Sequence, residues 1–96
     1  MFYIYILYSV KFDKFYVGQT DDVDCRLIEH NELSDHSYTS KYRPWQIAAS
    51  FKTGDSRTLA RKIESHIKKQ KSKGYIEEII ERGSITGLIE RFGGNG

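Results

Sequence analysis

The run Phe2–Arg26 constrains this chain more than any other stretch: FYIYILYS, a polar turn, FYVGQT and then DDVDCR. Residues 2–9 alternate as a strand does, with Phe2, Ile4, Ile6 and Tyr8 toward one side and Tyr3, Tyr5 and Leu7 toward the other. Both sets are apolar or aromatic, so both faces must be covered. That predicts a central strand with other elements packed around its sheet. Val10–Lys14, with Asp13 and two lysines, reads as a turn. Phe15–Gly18 returns as a second strand, with Tyr16 and Gly18 on one face and Phe15 and Val17 on the other. Gly18 is expected to end that strand, at a bend or a close approach by another backbone.

Asp21 or Asp22 can cap a helix running to about Asn31, and the acidic first turn suits the helix dipole. Val23, Arg26, Leu27 and His30 fall in one broad sector of that helix. A cation and a titratable ring therefore sit beside the apolar stripe, where a plain surface helix would carry aliphatics. Taken alone, Arg26 is best read as an i,i+4 ion-pair partner of Asp22. Residues 32–44 have no period and read as a loop. Their Tyr38, Lys41, Tyr42 and Arg43 are either a phosphate-and-base contact set or a solvated surface. Trp45–Lys52 predicts a third strand. Ser56–Lys71 predicts a helix burying Leu59, Ala60, Ile63 and Ile67, with Glu64 at the edge of the stripe and Arg57, Arg61 and Lys68 on Glu64's side. Tyr75–Arg82 and Ile85–Arg91 predict two further helices, and residues 93–96 a disordered tail.

The expected fold is therefore α/β of the α+β kind, a small three-stranded antiparallel sheet flanked by helices in the order ββαβα plus C-terminal helices. At 96 residues it would be one domain over residues 1–92, with room for a single modest core. No apolar run approaches the ~20 residues of a membrane span, so no membrane partner is expected. The apolar start lacks a basic flank and a small-residue cleavage site, which favours a strand over a signal peptide. One cysteine, Cys25, excludes an internal disulfide and suits a reducing cytosol, so a cytoplasmic protein is expected. No Cys/His cluster has zinc spacing. A net charge of +2 permits nucleic-acid binding without arguing for it.

Two tyrosine-bearing triplets, Tyr3-Ile4-Tyr5 and Tyr16-Val17-Gly18, are followed eight residues after the glycine by Arg26 and, further on, by Glu64. In this the chain resembles the GIY-YIG nuclease family, whose GIY-type and YIG-type triplets lie on neighbouring strands of a hairpin. Tyr38-Thr39 and Arg43-Pro44-Trp45 match a YT…RPW segment of small standalone members, and Ala60 and Ile67-Lys68-Lys69 fit the pattern around the family's metal glutamate. The likeness covers residues 1–71 and extends to the GIY-YIG nuclease domain of the DNA-repair excinuclease. Four positions depart from it. Tyr3 replaces the first glycine, Gln19 stands where DNA-repair members often carry lysine, Ile76 falls near an asparagine of some members, and Cys25 replaces a second arginine.

The resemblance implies a DNA endonuclease dependent on Mg²⁺ or Mn²⁺, acting in DNA repair or recombination. It reverses the reading of Arg26 from ion pair to phosphate clamp, and that of Glu64 from surface ion pair with Lys68 or Arg61 to sole metal ligand. Chemically both roles are apt, since guanidinium suits phosphate and Mg²⁺ needs few protein carboxylates. Tyr5, Tyr16 and His30 complete the expected catalytic set as bases or water-positioners. A tyrosine that orients the water and passes its proton to His30 is the favoured arrangement. Gly18, Gln19, Lys41, Arg43, Lys68 and Lys69 are the expected DNA contacts. A homodimer or a partner protein would supply specificity. Two alternatives are a nucleic-acid-binding module of weak or lost activity and an interaction domain that uses the fold without DNA.

Overall fold

The computed structural model describes residues 1–33 and 38–93. Strand β1 (Phe2–Ser9) is central in the order β2-β1-β3, antiparallel to both β2 (Lys14–Thr20) and β3 (Gln46–Gly54). Tyr5 lies opposite Gly18 on one side and Ser50 on the other. The double-sided apolar pattern of β1 resolves into two cores. Ile4 and Ile6, with Val17, pack on Ile63, Ile67, Ile79 and Ile85; Tyr5 and Leu7 pack with Trp45, Tyr16, Val23, Leu27 and Tyr42. The first core lies under α2 (Arg57–Lys69), α3 (Lys73–Arg82) and α4 (Thr86–Gly93), and the second under α1 (Val23–Ile28) and the segment after it.

Several element boundaries differ from expectation. Strand β2 does not end at Gly18 but pairs through Thr20, because ladder hydrogen bonding needs no side chain. Strand β3 begins at Gln46, not Trp45, whose ring is buried and whose indole N–H donates to the Thr39 carbonyl at 2.8 Å. Helix α1 is capped by the Asp22 carboxylate, which accepts from the Cys25 N–H at 3.0 Å. It is shorter than its period suggests. After Ile28 the backbone widens into a π-helical turn over Glu29–Leu33, a form that often marks a functional site. The polar loop contains a 3-10 turn over Tyr38–Tyr42, and a cis Arg43–Pro44 peptide leads into β3. Ser56 and Ser72 cap α2 and α3, and α3 ends at Gly83. Of the expected tail, Gly93 is the last residue of α4; residues 94–96 lie outside the described residues.

Lys71 follows the C-cap of α2 with φ of 48°, in the left-handed region where a glycine usually closes a helix. A side chain there costs roughly 1–2 kcal/mol, partly offset by the smaller entropy of the unfolded chain. Lys71→Gly is therefore expected to stabilise the protein by about 0.5–1 kcal/mol, read as a Tm rise of a few degrees. A Tm at or below the parent's would mean that the Lys71 side chain makes a compensating contact.

Candidate functional site

The site begins with a cross-strand contact. Tyr5 is wholly buried, and its ring crosses the hairpin over Gly18. A β-carbon on Gly18 would lie 2.3 Å from the Tyr5 hydroxyl and 2.4 Å from Cζ. Gly18 is thus required by the close approach of a side chain, where a bend or the approach of another backbone was expected. The glycine lets the Tyr5 hydroxyl reach past β2 to His30 Nε2, 2.9 Å away. On the other side of the imidazole, Nδ1 and Thr39 Oγ1 are 2.8 Å apart. A neutral ring donates through one nitrogen and accepts through the other, so either tautomer satisfies the whole chain Tyr5–His30–Thr39. Tyr16 stands beside it, its ring centroid 4.8 Å from that of His30 and 6.3 Å from that of Tyr5.

Burial pushes the Tyr5 hydroxyl up to about 12, against the pull of Arg26. Tyr16 and Glu64 also act on that hydroxyl, and both raise its pKa. Around that buried oxygen stand His30, at 2.9 Å, and the Tyr16 ring. Burial likewise lowers the His30 pKa, helped by the positive charges of Arg26, Lys68 and Arg43 and opposed by Glu29. Tyr5 protonated and His30 neutral is the stable pairing.

Arg26 does not pair with Asp22, whose carboxylate is spent on the helix cap. It donates through Nη1 to Glu29 Oε2 at 2.8 Å, while its Nε is buried without a hydrogen-bond partner. Glu64, with its side chain 23% exposed, meets the Lys68 ammonium at 3.5 Å, and that ammonium lies 5.0 Å over the Tyr16 ring. Arg57 and Arg61 are not its partners. Arg57 stacks 4.8 Å over the Phe2 ring, and Arg61 lines a cleft on another face of α2.

The expected DNA contacts scatter. Arg43 donates from Nε to the His30 carbonyl at 2.6 Å, so part of its guanidinium holds the π-helical turn. Lys41 is exposed on the 3-10 turn. Lys68 lines a cleft of about 430 Å³ with Lys14, Tyr16, Tyr38 and Lys71, whereas Lys69 faces the cleft that holds Arg61. Gln19 is half-buried, and its Oε1 is buried with no partner on the strand face shared with Val17. Sequence reasoning gave no role to Thr39, Glu29 or Asn31. Asn31 clamps Trp45 twice, accepting from its backbone N–H at 2.6 Å and donating to its carbonyl at 2.9 Å. The one signal for Thr39 was its place in the YT…RPW segment; nothing local marks a polar-loop threonine as buried.

A divalent cation places its own demands on the donor set. Among the described residues no three or more His, Cys, Asp or Glu side chains cluster as a metal cage would need. A single partly exposed carboxylate suits Mg²⁺, which keeps most of its waters. The residues fit a weakly held, hydrated cation and no tightly caged one. The family model described as GIY-YIG catalytic domain matches residues 1–76. No curated protein and no solved structure matches the chain. No helix among the described residues is long and apolar enough to cross a membrane.

Two outcomes follow from this geometry. Gly18→Ala should force the Tyr5 ring off His30 and cost about 1–3 kcal/mol by overpacking, seen as a lower denaturant midpoint. A midpoint equal to the parent's would show that the ring has room to move. The second outcome concerns pH. The unfolded His30 ring titrates near ~6.5, and the folded one lower. Below about 6.5 the unfolded chain takes up a proton that the folded chain resists, so stability falls with pH and levels off below the folded value. His66, also lowered, acts in the same direction. In Tm measurements from about pH 5 to 7.5, His30→Gln should show a shallower pH dependence than the parent. An unchanged slope would exclude His30 as the group that resists protonation.

Proposed function

Since the chain belongs to the GIY-YIG catalytic domain family, a nuclease family, we propose that it is a divalent-metal-dependent DNA endonuclease that hydrolyses phosphodiester bonds. The observation that carries this reading is the buried contact of the Tyr5 hydroxyl with His30, with the Tyr16 ring packed beside both. In this reading the ion is Mg²⁺ or Mn²⁺ and the setting is DNA repair or recombination in the cytoplasm. A homodimer or a partner protein supplies specificity.

The chain's own residues divide the work by exposure. Tyr16 is half-buried and lines the 430 Å³ cleft, so it meets the substrate and orients the attacking water. Tyr5 is sealed off and stays protonated at neutral pH, so it is a positioning residue and no base. Both nitrogens of His30 are engaged, by Tyr5 and Thr39, which makes His30 the brace that fixes Tyr5 and the neighbouring Tyr16 ring. Arg26 binds the phosphate; its pairing with Glu29 orients the guanidinium. Glu64 would hold the cation. When bound, that ion supplies positive charge for the developing phosphate and makes water a better nucleophile.

A binding module without turnover is the second reading. It is favoured by the fact that Arg26 and Glu64 each already have a side-chain partner, Glu29 and Lys68. The two readings separate on a cleavage panel of single-stranded, duplex, flap and branched DNA with Mg²⁺ or Mn²⁺. Glu64→Gln should lose about 10²–10³ in rate, the usual loss for one preorganised charge. Its Tm should barely move, because an ion pair that water still reaches is worth ~0–1 kcal/mol. Metal-free DNA affinity should hold or rise slightly. Parental cleavage by Glu64→Gln would sink the role given to Glu64, and binding without cleavage by the parent would select the second reading.

A further inference from the structure

The outer face of α2 and the end of α4 frame a cleft of about 660 Å³. Arg61, Lys62, Lys69 and Arg91 line it, together with His66 and Phe92, and no carboxylate does. Phe92 packs on His66 with centroids 5.1 Å apart, and the Arg91 guanidinium lies 5.2 Å over the Phe92 ring. Among the described residues none of the four cations has an ion-pair partner, unlike Arg26, Lys68, Lys73 and Arg82. The concentration is local. With these four set aside from the fifteen basic residues, the remaining eleven face thirteen acidic ones and the rest of the chain is net negative. The neighbouring ring registers the field: His66 is held low by burial and then by Arg91 and Lys69.

Half of this charge has an ordinary helical explanation. Lys69 and Arg91 sit in the last turns of α2 and α4, where a cation offsets the carbonyl ends of the helix. Arg61 and Lys62, in the middle of α2, have no such role. From Arg61 to Lys69 the helix axis advances about 12 Å, long enough to meet about two successive phosphates of one duplex strand. At 100° per residue, Lys62 and Lys69 lie more than a third of a turn from Glu64, away from the Tyr5 site. Arg91 and Phe92 also lie beyond the residues that the family model matches.

We infer that this cleft is a second, non-catalytic site for the phosphate backbone of duplex DNA, holding the substrate to the side of the phosphate that is cut. The inference rests on the nucleic-acid reading of the first site. A row of cations along one helix, closed by Arg91 and Phe92 and free of carboxylates, favours a polyanion, and it would give a one-domain catalyst a hold on its substrate that does not involve the reacting phosphate.

The test is the salt dependence of binding to a labelled duplex, followed by anisotropy in EDTA. Arg61→Gln/Lys62→Gln should lower the magnitude of the log–log slope by about 2, and Arg91→Gln by about 1, at roughly 0.9 for each phosphate no longer neutralised. Lys62→Arg, which keeps the charge, should retain the parental slope. The mid-helix substitutions should leave Tm unchanged, which separates a missing phosphate partner from a damaged fold. A parental slope in both Gln variants would overturn the inference while leaving the first site standing, provided the parent cuts or binds DNA. A parent that neither binds nor cuts any DNA would overturn the nucleic-acid reading and this site with it. Phosphatidylserine vesicles are the control: loss of vesicle binding with an unchanged duplex slope would assign the cleft to a lipid surface and overturn the inference.

Discussion

The structure depends on one close contact, the Tyr5 ring lying across Gly18. Every other feature of the candidate site is arranged around the place where that ring ends. Because the glycine has no β-carbon, the hydroxyl passes over β2 and emerges at His30. Because the hydroxyl is sealed from water, it stays protonated and holds the imidazole in one orientation. The imidazole in turn ties the π-helical turn to the 3-10 turn through Thr39, joining two segments that share no regular backbone ladder. A buried polar chain of this kind is costly unless every member is paired. Here each ring nitrogen of His30 finds an oxygen.

The second constraint is that one sheet three strands wide must serve two cores. The aliphatic face of β1 supplies stability by packing on the isoleucines of α2 and α3. The aromatic face, closed by Trp45 and α1, carries the polar chain. This division explains why the site lies on the side covered by the shortest helix and by irregular turns. Loops and short elements can present side chains at angles that a long helix cannot, while the opposite core holds the sheet still. Asn31 and Arg43 keep that irregular cover in place by bonding to the backbone of Trp45 and His30.

Charge is distributed with the same economy. A net charge of +2 is too small to argue for a polyanion partner, yet two clefts on either side of α2 gather much of the lysine and arginine. In the cleft beside Tyr16, Lys68 and Lys73 are already paired with Glu64 and Asp13. In the cleft against α4 no cation is paired with an acid among the described residues. The first arrangement suits a site where ionic partners exchange as substrate and metal enter; the second suits a standing electrostatic hold.

Much of this protein was legible in its sequence. The double-sided pattern of Phe2–Ser9 required a covered central strand, the isoleucine period of α2 required one buried face, and the two tyrosine triplets with Arg26 and Glu64 pointed to the family. These are local regularities, set by the periods of two and 3.6 residues that a chain imposes on itself. Side-chain partnership was not legible, because it depends on residues far apart in the chain. Asp22 and Glu29 are both in reach of Arg26 along one helix; in the structure Asp22 caps the helix and Glu29 makes the pair. Thr39 became part of the site because a turn nine residues after His30 folds back beneath it. Arg61 and Lys69 line a cleft because α4 docks beside them, and no pattern within α2 foretells that docking. Periodicity and motif determined the strands, the principal helices and the family; the tertiary structure alone decided which charges meet, because pairing is a matter of distance in space and not of spacing along the chain.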